Sequence, residues 1–394
     1  MARIEFAWEL GAGTGHVTTL LPIARRMQQA GHAPRFLLRD VRAGADLAEA
    51  QGIPREGAPV WVGPVSYPAP ANFGEILHNF GYANPDDLHA LVDAWRERLA
   101  GAGAVVANVA PAAHLAARTL GIPSFEISQG FHIPPAVFPS PPLRHWEVHS
   151  RETLEAADRR VLVAMNAVMA AHKAPPLDTI GSLFTGRAML LTYPELDIYP
   201  ERDPSDYFGI PDTGEGNALP AWPEGGAMRV FAYLYHYWQG LPRLLESLDR
   251  LALPTLVFCR GIDQALREKH ATGSIRFSDA PMWVSRLLPQ SQLVISHGSH
   301  QMTAQALLAG RPLLMLPTQL EQFLIMRRVV RMGAGLGIAP DVPDADYDVA
   351  LAQLAQEQGF TRNAAAFAAR YRSHSAPAAL DTMVARILAS AGAA

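Results

Sequence analysis

Apolar residues fall in short runs separated by glycine, proline and polar turns, and these runs alternate with stretches whose apolar positions recur every three to four residues. Arg3 to Trp8 (RIEFAW) is the first run, ending in the turn Gly11-Ala12-Gly13-Thr14-Gly15. Leu20, Leu21, Ile23 and Met27 then mark one face of a helix that Gly31 stops. Phe36-Leu37-Leu38 reads as the next strand, followed by a strand at Val105-Val106-Ala107, a helix from Ala112 to Leu120 and a strand at Phe125-Glu126-Ile127. Leu154 to Ala171 is a further amphipathic helix, closed by Pro175-Pro176. Between Pro194 and Gly226 the periodicity fails and Pro, Gly, Asp and Glu dominate, the composition of a linker. The pattern restarts with apolar runs at Val230–Ala232, Leu256–Phe258, Leu293–Ile295 and Leu313–Leu316, and with a clear helix from Gln322 to Met332. Strands alternating with helices of this length predict a parallel α/β sheet, and here they predict two. No short sequence repeat links the halves, so the architecture is duplicated rather than a motif.

Composition narrows the class. Apolar residues make up 49% of the 394 and charged ones 18%, which excludes a disordered or coiled-coil chain. A net charge of −4 offers no basic field for nucleic acid or anionic lipid. One cysteine, Cys259, excludes an intramolecular disulfide framework and fits a reducing compartment, where it reads as a small core residue. Glu5 and Glu9 interrupt any signal-peptide core, and Asn108, Pro111 and His114 break the stretch from Leu99 to Ala117 that is longest without dense charge. A soluble, cytoplasmic protein without a transmembrane segment is expected, with peripheral membrane contact left open.

Two strand-to-helix turns carry candidate chemistry. In the first, Gly11, Gly13 and Gly15 let backbone pass close to a ligand, and His16 opens the following helix. A histidine there can take a proton from a hydroxyl or can simply brace the loop. Asp40 ends the second strand, where a dinucleotide fold places its ribose-binding acid, but the third glycine is one residue early and His16 stands in the expected glycine position. The second turn is Ser296-His297-Gly298-Ser299-His300, with a helix expected to open near Thr303 and another at Glu321-Gln322. It gathers hydroxyls, imidazoles and backbone N–H groups at a helix N-terminus, a site suited to a diphosphate.

The segment ISHGSHQMTAQALLAGRPLLMLPTQLEQ resembles the donor-binding signature of GT-B-fold nucleotide-sugar glycosyltransferases, in their UDP-glycosyltransferase branch. GAGTGHVTTLLPIARRMQQAGH resembles the N-terminal signature of the same superfamily, with its bacterial antibiotic-modifying and peptidoglycan-type members, and VVANVAPAAHLAARTLGIP resembles a strand and helix between them. The resemblance implies two Rossmann-like domains facing a cleft. Residues 1–200 would form the acceptor domain, 201–226 the linker, 227–375 the nucleotide-sugar domain, and 376–394 a helix returning to the first domain. Carried over position by position, His297 and the backbone from Gly298 through Ser299 and His300 to Gln301 would meet the diphosphate, with Thr303 adding a hydroxyl. Gln305 stands where the family has a ribose-binding Glu, Glu321 and Gln322 match the pair that holds sugar hydroxyls, and Met282 or Trp283 falls where the base is capped. His16 matches the catalytic base, and Asn108 stands at its orienting Asp, so Glu9 or Glu126 is an alternative acid for His16. Ser299, Gln301-Met302 and Gln305 depart from the pattern, and Phe231-Ala232-Tyr233-Leu234 lacks the family's small turn residues.

The implied activity is an inverting, metal-independent transfer of a sugar from a UDP- or dTDP-sugar to a hydroxyl on a small apolar or lipid-like acceptor, with no cofactor besides the nucleotide-sugar co-substrate. The rivals are a catalytically silent GT-B partner protein, an epimerase and an NAD(P)-dependent oxidoreductase. Asp344-Ala345-Asp346 reads as a helix cap rather than a metal site, and His145 and His149 as loop residues. Phe73, Phe80, Tyr82, Phe131 and Trp146 are candidates for an acceptor wall or for ordinary loop packing.

Overall fold

A computed structural model describes the chain except residues 200–201, 212–215, 217, 227, 343–344 and 393–394. It divides into two compact units, one of Met1–Tyr193, Tyr199–Thr213 and Ser375–Ala394, the other of Pro194–Ile198 and Gly214–His374. The first contains β1 (Arg3–Trp8), α1 (Gly15–Gln29), β2 (Ala33–Leu38), α2 (Ala45–Glu49), β3 (Arg55–Gly57), α3 (Phe73–His78), α4 (Pro85–Leu99), β4 (Ala104–Ala107), α5 (Pro111–Leu120), β5 (Ser124–Ser128), α6 (Arg151–Ala171) and β6 (Ala188–Leu190). The second contains β7 (Val230–Tyr233), α7 (Leu241–Arg250), β8 (Thr255–Phe258), α8 (Gln264–His270), β9 (Ile275–Ser278), α9 (Val284–Leu287), β10 (Leu293–Ser296), α10 (His300–Leu308), β11 (Leu313–Met315), α11 (Leu320–Met332), β12 (Gly335–Gly337), α12 (Tyr347–Gln356) and α13 (Gln358–Arg370). Helix α14 (Ala376–Ala391) closes the chain in the first unit.

Each unit is built on a six-stranded sheet, ordered β3-β2-β1-β4-β5-β6 in the first and β12-β11-β10-β7-β8-β9 in the second. All pairings are parallel. Counted within its own unit, the second order is the first reversed, so both sheets have one doubly wound topology. Strand order reverses between β1 and β4 in one unit and between β7 and β10 in the other, and an open α/β sheet binds ligands outside the strand ends at such a switch point.

Alternation along β1 sorts side chains to two faces. Ile4, Phe6 and Trp8 join the cluster that includes Val17, Leu20 and Ile23 of α1, and Ala7 joins the cluster of α4 and α5 on the other face. Met383, Val384 and Ile387 of α14 complete the first cluster, and Arg26 pairs with Asp381 at 3.0 Å. The final helix therefore packs on the first unit.

Three differences from the sequence reading have local causes. Helix α10 begins at His300, ahead of Thr303, because the turn at Gly298 is tight and the Ser299 carbonyl accepts the Thr303 N–H at 3.0 Å. Helices α3 and α4 occupy a stretch the periodicity leaves unassigned, and Asn72 and Asn84 cap them through their side chains. The Pro- and Gly-rich run after Thr192 is partly built in, because Leu196, Tyr199, Phe208 and Ile210 are spaced between the breakers and are buried. Asp346 caps α12 by accepting the Val349 N–H at 3.1 Å, as the capping reading expects, and Asp344 lies outside the described residues. No described helix is long and apolar enough to cross a membrane.

Candidate functional site

At the first switch point, His16 at the start of α1 meets Asn108, which directly follows β4, with Nδ1 2.5 Å from the amide oxygen Oδ1. The amide is fixed from its other end, where Asn108 Nδ2 donates to the Ile127 carbonyl at 2.5 Å. A carbonyl can only accept, so the NH2 must face Ile127 and the oxygen must face His16. Nδ1 of His16 therefore carries the proton and Nε2 keeps its lone pair. Nε2 has no hydrogen-bond partner among the described residues. The ring lies flat against Trp8, with centroids 4.6 Å apart and planes at 16°. Gly11 sits beneath it with φ +87°, and a Cβ there would come within 2.7 Å of Nε2. That glycine keeps the lone pair clear. Gly13 lies exposed on the same loop, and Gly15, also exposed, is the first residue of α1. Burial pushes the His16 pKa below its usual value, and the bond His16 donates to Asn108 opposes this only in part, so the ring is neutral at pH 7.

Neither alternative acid reaches His16. Glu9 accepts from Tyr82 Oη at 2.6 Å and from the Ala112 N–H at 2.9 Å, supplying a cap that α5 otherwise lacks. Burial raises its pKa to about 8. Glu126 accepts the Val109 N–H at 2.7 Å and lies 3.0 Å from His114 Nε2. Both carboxyls brace the backbone under the switch point. Glu126 holds Val109, which sits at φ +57° immediately after Asn108, and Glu9 holds Ala112 three residues further on. Asp40 accepts the Arg42 N–H at 2.9 Å, closing its own turn.

The second switch point is built on the other histidine. Tyr235 N–H donates to His297 Nε2 at 2.9 Å, so Nδ1 must carry the proton, and it donates to the Leu316 carbonyl at 2.6 Å. Both ring nitrogens are spent inside the protein, and the ring is 2% exposed. His297 thus ties the ends of β7 and β11 to that of β10. Gly298 follows with φ +82°, and a Cβ there would approach Met315 Cε to 2.9 Å. Its N–H is held by Ser296 Oγ at 3.2 Å. Ser299 then starts α10 with no side-chain cap.

Around that turn, Thr303 is fully buried and its Oγ1 has no hydrogen-bond partner, while His300 is buried with its pKa pushed down to about 4. Gln301 and Gln305 lie partly exposed further along α10. Glu321 is in the first turn of α11, and burial pushes its carboxyl up to about 7. Gln322 is buried and accepts from Thr318 N and Oγ1 at 2.8 and 3.0 Å. Met282 is buried and Trp283 partly exposed, on a segment held by the bridge Ala218–Met282 and by the bond from Trp283 N to Ala218 O at 2.9 Å.

Sequence reading missed an aromatic ladder. Tyr237, 63% exposed, stacks on Tyr235 at 5.1 Å, and Tyr235 stacks on His297 at 4.4 Å, with Trp238 edge-on to the same histidine. The run Tyr233-Leu234-Tyr235-His236-Tyr237-Trp238 was its visible signal, standing where small residues were expected. Of the aromatic acceptor candidates, Phe73 and Tyr82 are core residues and Phe80 packs against them, leaving Phe131 partly and Trp146 38% exposed. His145 and His149 are in loops, and Cys259 is buried in the core after β8.

Comparison with known proteins fits this architecture. Residues 253–387 match the family described as erythromycin biosynthesis protein CIII-like, C-terminal domain. The NDP-glycosyltransferase YjiC of Bacillus subtilis (strain 168) is 31% identical over 121 residues, a match spanning 31% of this chain and 27% of that protein. The calicheamicin glycosyltransferase CalG4 superposes with a TM-score of 0.70 at 17% identity, covering 98% of both chains. The glycosyltransferase VinC, solved in complex with dTDP, gives 0.65 at 16% identity over 100% of each chain. The resemblance read from the sequence is borne out: the chain has the two-domain α/β fold of GT-B glycosyltransferases.

Proposed function

We propose that this protein is an inverting, metal-independent glycosyltransferase that moves a sugar from a UDP- or dTDP-sugar to a hydroxyl of a small, largely apolar acceptor. The observation that carries the reading is His16, neutral, fixed as the Nδ1–H tautomer by Asn108, with its Nε2 lone pair kept clear by Gly11. A general base needs that combination. The acceptor hydroxyl would be held by the N-terminal unit and would pass its proton to Nε2 as its oxygen attacks the anomeric carbon. The anomeric carbon–oxygen bond breaks on the opposite side, and the electron pair leaves on the nucleoside diphosphate. In this reading α10 of the C-terminal unit, whose first turn has no side-chain cap, stabilises the departing charge, and Glu321 and Gln322 hold sugar hydroxyls. The dTDP bound to VinC supports a pyrimidine diphosphate as the donor's leaving group.

A thermal-shift panel of nucleoside diphosphates tests the donor assignment. UDP or dTDP at a hundred times its dissociation constant should add about 2.7 kcal/mol of stability, and EDTA should not diminish the effect. Stabilisation by none of the panel would leave a silent partner protein as the better reading.

A further inference from the structure

Away from both switch points, three metal-ligating side chains of the first unit converge. His89 and Asp93 lie one turn apart on α4, and His172 is the C-cap residue of α6. His89 Nε2 is 3.3 Å from one carboxylate oxygen of Asp93, and His172 Nε2 is 3.0 Å from the other. One donor atom from each of the three residues lies within 4.8 Å of the other two, and the imidazole centroids are 5.3 Å apart.

Ordinary hydrogen bonds from the two imidazoles to Asp93 are the simplest account of these distances, and the geometry argues against it. His172 Nε2 is buried and has no hydrogen-bond partner, although a carboxylate oxygen is only 3.0 Å away. The oxygen lies off the direction of the ring nitrogen's proton or lone pair. Two ligands sharing a metal ion take that arrangement. With bonds of about 2.1 Å to nitrogen and oxygen, atoms on adjacent corners of the coordination shell stand about 3.0–3.4 Å apart, and each lone pair points roughly 40° away from the neighbouring ligand atom.

The geometry points to a divalent transition-metal site made of His89, Asp93 and His172, with zinc as the reference ion. Imidazole nitrogens and one carboxylate oxygen are the donor set such ions prefer over magnesium or calcium. His89 and Asp93 are 41% and 48% exposed, so water can fill the remaining positions and His89 can swing the short distance needed to close the shell. Arg96 Nε lies 3.7 Å from Asp93, but its Nη1 donates to Thr119 at 2.5 Å, which anchors the guanidinium to α5. Bound metal would clip the C-terminal end of α6 to α4. The proposal is independent of the transferase reading, because no group of either switch point takes part.

Calorimetric titration of EDTA-treated, dialysed full-length protein with zinc tests it. One zinc per chain should bind, raising the melting temperature, and His89→Ala, Asp93→Asn and His172→Ala should each weaken binding about tenfold or more. The three variants should melt like the wild type in EDTA. His145→Ala should bind zinc as the wild type does. Cobalt(II) gives a second readout through its visible spectrum, which His89→Ala, at an exposed position, should abolish without disturbing the fold. Absence of saturable one-to-one binding, or binding unchanged in all three variants, would overturn the site.

Discussion

The two switch points share a topology and each holds a histidine stacked on an aromatic ring with its proton on Nδ1, yet the two imidazoles differ in what Nε2 meets. His16 commits Nδ1 to Asn108 and keeps Nε2 open above Gly11. His297 commits Nδ1 to Leu316 and Nε2 to Tyr235. A histidine's role is set by where its two nitrogens go. By that measure only the first can exchange a proton with a ligand, and the second acts through the turn it holds.

The largest expected effect is at the open nitrogen. His16→Ala should lower turnover on a hydroxyl acceptor by about 10²–10⁴ while leaving nucleotide affinity nearly unchanged. Wild-type turnover should fall as pH drops through the His16 pKa, which burial places below its usual value. Unaltered turnover in the variant, measured with a saturating acceptor, would make His16 a loop brace and erase the contrast between the two histidines.

At the closed site the prediction is different in kind. His297→Ala removes an acceptor from the part-buried Tyr235 N–H and a donor from the buried Leu316 carbonyl, leaving both unpaired at a cost of about 1–3 kcal/mol. Part of that loss falls on the geometry of Gly298 to His300, so affinity for UDP or dTDP should drop by roughly 5- to 100-fold. Turnover at saturating donor should stay near the wild-type rate. Calorimetry showing undiminished affinity would mean that the turn does not need its clip.

These paired fates were only half legible in the sequence. The strand–helix alternation, the two histidine-bearing turns and their order along the chain were readable, because short apolar runs and glycine turns act locally. What each imidazole touches was not, since Asn108 is 92 residues from His16 and Leu316 is 19 from His297. Asn108 shows the consequence. Read alone, it looks like an eroded orienting acid, but its bond to the Ile127 carbonyl reveals an amide that fixes a tautomer by having one end that donates and one that accepts. The site formed by His89, Asp93 and His172 was illegible for the same reason, with its third ligand on another helix.

That reading of Asn108 changes what its substitution should do. Asn108→Asp would supply a carboxylate to stabilise the imidazolium, moving the acid limb of the pH–rate profile to higher pH. It would also turn an oxygen toward the Ile127 carbonyl in a position 5% exposed, and stability should fall by about 1–3 kcal/mol. Chemical denaturation and a pH–rate profile separate the two effects. A variant as stable as the wild type would mean that the Ile127 bond contributes little, and an unmoved acid limb would mean that residue 108 does not govern the base.

The smallest expected effect belongs to Glu321, at the strand ends of the C-terminal unit, where titration would act on the sugar rather than on the transferred proton. Burial raises its pKa to about 7, above the value of 4.5 it has when exposed. The folded state therefore binds more protons than the unfolded state between these values, and this group's contribution to stability declines as pH rises through that window. Donor binding should run the other way, because only the carboxylate accepts hydrogen bonds from two sugar hydroxyls. At pH 8 about nine-tenths of the group is ionised and at pH 7 about half, so affinity for a nucleotide sugar should fall about twofold between them. Glu321→Gln should remove that increment. The free nucleoside diphosphate, which has no sugar, should show no difference between wild type and variant across the same range. If it shows the same difference, Glu321 acts on the diphosphate turn, and the division of labour between α10 and α11 must be redrawn.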